Sequence, residues 1–475
     1  MINFERFILN FFATFELFVS RKYVFGDKAF TRVRKMSQKD YTKYILTQFG
    51  CNGYTESIRY FTKSLNRKFE TITSQAIGKQ RIFLKPELYK DLTDSFIDKL
   101  YGEFKGFSKF KGYVVCTCDG SIFSLPITKT TRKEFDVPDD SIFEVHRVRS
   151  RVSCIMDVNS KFILTSKIVE RSIDEITLAL DHLKELNKRF NIRKFITIYD
   201  RGYVSLELML NTEEIGSKYL IRLKKNSFIN QRKYICDDDG IIRVNWINSR
   251  LNGIRDEKLR KKAKENKFLE ILIVKVKLKT GEIELLATNL TKEEFTTEEL
   301  KELYNQRWEI ETGFKKLKSL VRIEEFTGNR RIIIEQDFYA HIFIYNLANA
   351  IKNDGQNKIT RKPRNKEDQI IYQPNFSKIV GNIYLYFPDL LGENSLKTKI
   401  TLEFLINQAS KELVQKNMNK TKCDIRKEPG HHQQTSGKYQ EKPLVTIMAL
   451  KRIFKIQKIF SITIYANKNI KNFLK

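Results

Sequence analysis

A chain of 475 residues with 41% hydrophobic and 12% aromatic side chains is long enough for two to four domains and can bury real cores, which excludes a disordered tail. Its 87 Lys and Arg against 57 Asp and Glu leave a net charge of +30, a field that suits a polyanion because each phosphate neutralised releases condensed counterions. Six cysteines, Cys51, Cys116, Cys118, Cys154, Cys236 and Cys423, lack framework spacing, so they read as reduced thiols in a cytosol. Cys423 with His431 and His432 could offer three metal ligands, but the second Cys pair of a zinc site is missing.

Taken in chain order, Ile2 to Val19 is interrupted by Glu5, Arg6 and Glu16, which predicts an amphipathic helix and neither a signal peptide nor a membrane span. Residues 1–105 read as all-α: apolar residues recur at three- and four-residue intervals over Tyr41–Phe49, Tyr54–Leu65 and Pro86–Tyr101. Between the last two, the polar basic run from Thr73 to Arg81 has the look of a short recognition helix, with Lys79 and Arg81 as its DNA contacts. A solvated helix between two buried ones is the alternative.

From residue 110 the texture changes to short strands. Tyr113–Cys118, Cys154–Met156 and Phe195–Tyr199 are apolar or small on both faces, as central strands covered by helices are. Ser172 with Glu175 reads as a capping box that opens a helix to about Leu186. This order predicts an α/β catalytic domain over 106–351. Within it, a β-rich insertion at about 215–292 holds Tyr219–Leu223, Leu269–Leu278, a Thr280-Gly281 turn and Ile283–Ala287. Helical pattern resumes at Thr296 and runs, with a break near Gly328, to about Ile351. Residues 352–475 form a basic C-terminal region expected to contact DNA or to dimerise. In it Arg361-Lys362-Pro363-Arg364 reads as a basic linker or DNA-contacting loop, and 416–443 as a mobile polar tract.

The chemistry concentrates in the run from Tyr304 to Lys318. On one helix advancing about 100° per residue, Tyr304, Arg307, Glu311 and Lys318 fall within roughly a 60° arc, and Leu303, Ile310, Phe314, Leu317 and Val321 fill the neighbouring arc toward the core. Trp308 is expected to pack inward. A phenol, a guanidinium, a carboxylate and an ammonium on one stripe suit phosphate and metal together. Composition alone gives this four-residue spacing a chance occurrence of about one in a hundred.

That spacing resembles the signature of the insertion-sequence-four family of bacterial transposases. Two further contexts agree: Cys118-Asp119-Gly120-Ser121 after one apolar strand, and Tyr199-Asp200-Arg201-Gly202-Tyr203 after another. The resemblance extends from about Phe30 to Ile351. It implies a ribonuclease-H-like catalytic domain with a β-rich insertion, and a catalytic, metal-holding triad of Asp119, Asp200 and Glu311. It further implies DNA contacts by Tyr304, Arg307, Lys318, Arg201 and Lys315. The expected cofactor is a pair of Mg²⁺ ions, with Mn²⁺ as substitute, since hard ions prefer carboxylate oxygen and two metals serve phosphodiester cleavage and joining. The expected partners are transposon ends and target DNA, in a homodimer, with no membrane, in a bacterial cytoplasm at the nucleoid. The competing readings are a catalytically inactive or domesticated DNA-binding protein and a metal nuclease that never joins strands.

Overall fold

The computed structural model describes residues 4–416 apart from 33, 104–108, 137–146, 234, 236–238, 279–280, 360–370 and 393. Cys236, the Arg361–Arg364 linker, the polar tract beyond 416 and the Cys423, His431 and His432 group lie outside the described residues.

Ahead of the first strand come helices α1 (Phe4–Ala13), α2 (Gln38–Leu46), α3 (Gly53–Lys63), α4 (Ser74–Arg81) and α5 (Glu87–Glu103). The starts of α2, α3 and α4 are set by side-chain caps: Ser37 and Asp40 form a capping box on α2, while Asn52 and Thr73 cap α3 and α4, each satisfying an otherwise orphaned N–H. The α1 side chains Phe7, Ile8, Phe11 and Phe12 are buried. Phe11 stands 5.1 Å from Phe96 and 6.0 Å from Phe343, centroid to centroid.

The chain then builds an α/β body around one large mixed sheet. Its elements are β1 (Val114–Leu125), α6 (Lys129–Glu134), β2 (Val148–Asp157), β3 (Ile163–Glu170), α7 (Glu175–Arg189), β4 (Phe195–Tyr199), α8 (Leu206–Glu214) and β5 (Lys218–Arg222). After these come α9 (Ile229–Arg232), β6 (Asp239–Asn245), α10 (Asn248–Leu251), α11 (Glu257–Glu265), β7 (Phe268–Lys277) and β8 (Ile283–Thr288). The order across the sheet is β3-β2-β1-β4-β5-β8-β7-β6. Strands β1, β4 and β5 run parallel, and every other pairing is antiparallel. Helices α12 (Thr297–Asn305), α13 (Trp308–Lys316) and α14 (Arg331–Asn357) follow, then β9 (Ile371–Pro374), α15 (Phe376–Leu390), α16 (Ser395–Lys411) and β10 (Leu413–Lys416).

Strand alternation assigns the two faces. Val115, Ile196, Ile198, Leu220 and Leu286 point to one side, where Leu300, Leu303 and Tyr304 of α12 cover them. Cys116, Cys118 and Tyr199 point to the other, toward α7, whose His182 bonds Ser153 of β2. One larger hydrophobic cluster runs from Phe7 through the sheet and α14 to Ala409, so the helices before residue 105 and after 351 share a core with the sheet. Among the described residues no helix is long and apolar enough to cross a membrane.

Three expectations change. The cap of α7 is Asp174, which accepts from Thr177 N–H, and not Ser172; Asp174 immediately precedes the first helical residue, where a short carboxylate reaches the third N–H. The first strand of the expected insertion, β5, pairs parallel with β4, so only β6 to β8 are added, and β8 pairs with β5 to extend the same sheet. Strand β1 also continues six residues past Asp119, to Leu125, because β2 stays paired with it throughout.

Candidate active site

The register of β1 and β4 positions the first two carboxylates. These strands pair in parallel from Val114↔Phe195 to Thr117↔Ile198; continued by two residues, the register sets Asp119 level with Asp200. By alternation both share the face of Val115, Ile196 and Ile198. Asp119 accepts the Gly120 N–H at 2.8 Å. Asp200 leaves the ladder to cap a 3₁₀ turn over Arg201–Tyr203, accepting from the Gly202 N–H.

Glu311 arrives from the other end of the sequence. A capping box of Thr296 and Glu299 starts α12, which ends at Asn305; α13 begins at Trp308, and Leu317–Val321 form a π turn closed by Arg322 at φ 63°. The single helix expected from Tyr304 to Lys318 is thus interrupted. The polar stripe survives because Gln306 (φ −71°, ψ −10°) and Arg307 (φ −52°, ψ −35°) remain right-handed through the break, so rotation about the axis is nearly conserved. Arg307 Nη2 lies 2.8 Å from Glu311 Oε1 and its Nη1 lies 3.7 Å from Asp119 Oδ2.

Helix α13 is fastened along the second half of β1. Phe314 meets Phe123 edge-on at 6.3 Å. Lys318 donates to the Ile122 carbonyl at 2.6 Å, sits 4.7 Å above the Phe123 ring and pairs with Glu324 at 3.4 Å. Phe123 has the parity of Asp119, so these contacts hold Glu311 over the carboxylate face.

Burial, together with the Asp200 and Glu311 carboxylates, pushes Asp119 up to about 7, against the opposing pull of the Gly120 N–H and Arg307. Loss of water around Asp119, more than the neighbouring charges, thus disfavours its ionised form. As the side chains stand, no group of three acidic, His or Cys residues among those described is close enough to hold a metal ion, and the cation among the carboxylates is Arg307. The donor set nonetheless fits a hard divalent ion, since all three donors are carboxylate oxygens. Cys118 and Cys154 beside Asp119 are held as neutral thiols by burial and offer no soft ligand.

The other expected site residues divide. Arg201, Lys315 and Lys79 are exposed. Arg81, expected on DNA, is 2% exposed and bonds Asp337 at 2.5 Å, Gln336 at 3.0 Å and Thr327 at 2.6 Å, because a charge buried here requires its full set of partners. Tyr304, expected as a phosphate donor, packs its ring into the cluster under α12, and burial pushes its hydroxyl up to about 12. Arg307 is likewise turned inward, 5% exposed. Trp308, expected inside, is 38% exposed with the Arg307 guanidinium 4.6 Å over its ring. Lys224 and Lys225, next to Arg201 around one cleft, were not singled out by sequence; a Lys pair directly after an apolar strand is the only signal they carry.

No curated protein matches the sequence. A piggyBac transposase synaptic complex with hairpin DNA is a structural neighbour at 12% identity, covering 85% of this chain and 82% of that one with a TM-score of 0.39. Residues 139–347, less than half of the chain, match the family model described as a transposase DDE domain. The match contains Asp200 and Glu311 and begins after Asp119. Over those residues the chain is similar to a transposase DDE domain.

Proposed function

We propose that this protein binds the terminal inverted repeats of an insertion sequence, cleaves the strands at the element ends and joins them to target DNA, with Asp119, Asp200 and Glu311 as its metal-holding triad. The observation that carries this reading is the linkage of the three carboxylates: the β1/β4 register sets Asp119 level with Asp200, and Arg307 reaches both Asp119 and Glu311. The strand order β3-β2-β1-β4-β5, with β1, β4 and β5 parallel, supports a ribonuclease-H-like fold, and the Tyr304, Arg307, Glu311 and Lys318 spacing supports the insertion-sequence-four family.

Two Mg²⁺ ions, or Mn²⁺ in their place, would supply activation of the attacking oxygen and neutralisation at the phosphorus when bound. Asp119, Asp200 and Glu311 would hold the ions by their carboxylate oxygens. Lys318 and α13 hold Glu311 over β1. Arg201, Lys315 and Lys79 offer exposed cations to phosphates. The helices of 1–105 are assigned to end recognition and the basic region 352–475 to DNA contact or dimerisation, in a homodimer acting on the nucleoid of a bacterial cytoplasm.

The test is purified protein with Mg²⁺ and DNA flanking its gene, scored for binding, nicking and joined product. Asp119→Asn, Asp200→Asn and Glu311→Gln should each remove nicking and leave binding intact. Binding without nicking by the wild type would mark a DNA-binding protein, and nicking without joining a nuclease.

A further inference from the structure

Beside the carboxylates, the ends of β4 and β5 and the start of β8 enclose a cleft of about 380 Å³. Arg201, Arg222, Lys224 and Lys225 line it together with Glu282 and Glu284, four cations against two anions. Arg222 is engaged by Glu284 at 2.6 Å. Among the described residues no ion pair engages Arg201, Lys224 or Lys225, so the cleft keeps unneutralised positive charge.

The two lysines stand on an ordered turn. Leu223 N–H bonds the Leu285 carbonyl at 2.8 Å and Ser227 N–H bonds the Lys224 carbonyl at 3.0 Å. Arg232 fastens the same turn from outside, donating to the Ser227 carbonyl at 2.7 Å and the Lys225 carbonyl at 2.6 Å. Three side chains from two separate loops are therefore presented to one space by a fixed backbone, an arrangement that lowers the entropy cost of gathering them around an anion.

The cleft adjoins the carboxylates through Arg201, which directly follows Asp200, and Tyr304 feels the charges of both groups, Arg307 and Asp200 as well as Arg222 and Glu284. Strands β4 and β5 are adjacent and parallel, so their carboxyl ends open on one edge of the sheet beside Asp119 of β1, where ligands of such sheets bind. With about 4.8 Å between strands, the cleft begins about 10 Å from Asp119, a span of about three nucleotides at 3.4 Å of axial rise each.

We propose that this cleft holds backbone phosphates of the DNA strand being cut, within about three nucleotides of the phosphate that faces the carboxylates, with Lys224 and Lys225 as point charges and Arg201 as a two-pronged donor. The proposal rests on the reading of Asp119, Asp200 and Glu311 as the site of DNA chemistry.

The experiment uses full-length protein and a 40-base-pair duplex that the wild type nicks, with binding measured without metal. Lys224→Ala/Lys225→Ala should fold normally, bind Mn²⁺ as the wild type does in calorimetry, and lower the slope of log K against log salt by about 1.8, two contacts at about 0.9 each. Lys224→Arg/Lys225→Arg should restore the slope. Single neutral methylphosphonates within three nucleotides of the nick should weaken wild-type binding several-fold and leave the double alanine variant unaffected. An unchanged slope, or the same methylphosphonate losses in that variant, overturns the cleft while leaving the catalytic reading in place. A slope change in the double alanine variant together with nicking that survives Asp119→Asn, Asp200→Asn and Glu311→Gln overturns the catalytic reading and the cleft's placement beside it.

Discussion

Arg307 places its Nη2 2.8 Å from Glu311 Oε1 while its Nη1 stays 3.7 Å from Asp119 Oδ2, so one guanidinium serves as the cation between carboxylates that sit on different elements. A divalent ion bound there would compete with it for the same oxygens. Arg307→Ala should lower the stability of the metal-free protein by about 1–2 kcal/mol, less than a fully buried pair would give because the Glu311 side chain is 40% exposed and screened by water. Mn²⁺ should then raise the melting temperature of the variant more than that of the wild type. Thermal melts with and without Mn²⁺ read this directly, and equal stabilisation of both proteins would remove Arg307 from the metal's competition.

Arg81 and Asp337 meet at 2.5 Å with side chains 2% and 0% exposed. Removing one partner strands the other charge in the core, so Arg81→Ala should cost roughly 3–5 kcal/mol. Lys79→Ala, two residues earlier on the exposed side of α4, should leave the urea midpoint unchanged. If Lys79 contacts a phosphate, that variant should flatten the salt dependence of DNA binding by about one unit. An Arg81→Ala protein that unfolds at the wild-type urea concentration but binds DNA poorly would return Arg81 to the DNA surface.

His182 is buried between Ser153 and Thr165, 3.1 and 3.2 Å away, and burial pulls its pKa from 6.5 down to about 4. The sign follows from proton uptake: below pH 6.5 the unfolded chain binds a proton that the folded protein refuses until about pH 4. Stability is therefore complete above pH 6.5 and is lost as pH falls toward 4, by about 1.4 kcal/mol per unit within that window. Between pH 7 and 5 the wild type should lose about 2 kcal/mol more than His182→Gln in urea titrations. Parallel curves for the two proteins would show that His182 is not the group responsible.

Much of the candidate site's local structure was legible because its residues announce themselves locally. Phe195–Tyr199 is apolar on both faces and is β4 to the residue, Asp119 is followed by Gly120, whose N–H it accepts, and Gly202, two residues after Asp200, gives that carboxylate the N–H it caps. The break at Gln306 was not legible, since neither Gly nor Pro marks it. Only the right-handed torsions that carry the stripe across it show why the periodicity argument still brought Arg307 to Glu311. Other misreadings have long-range causes. Arg81 looked like a surface cation because its partner Asp337 lies 256 residues away. Strand β5 looked like the start of an insertion because only its parallel pairing with β4 reveals it as part of the central sheet. Strand β3, an edge strand with Thr165, Ser166, Lys167 and Glu170 among its residues, lacks a continuous apolar run and was passed over.

Gly313 lies two residues beyond Glu311 on α13, where an added Cβ would stand 3.1 Å from Met156 Sδ on β2 and 3.2 Å from the Tyr345 hydroxyl on α14. The helix is therefore pressed against the sheet at the point that fixes the height of Glu311 over Asp119. In Gly313→Ala the thioether of Met156 can yield by a few tenths of an ångström, and the roughly 1 kcal/mol gained from replacing glycine inside a helix offsets that crowding. Nicking by this variant should stay within a few-fold of wild type. Gly313→Val adds two methyl groups with a stiff χ1 where neither neighbour can clear both, so α13 must lift. The cost should be about 1–3 kcal/mol of stability, and the displaced Glu311 should slow nicking by about a hundredfold, as misplacement of a reacting group by about 1 Å does. DNA affinity without metal should stay near wild type, because the exposed cations Arg201, Lys224 and Lys225 do not depend on the α13 to β2 spacing. The comparison is of nicking rates at saturating Mg²⁺ beside metal-free binding for the two variants. A valine variant that nicks at wild-type speed would show that the position of Glu311 is not set by this contact.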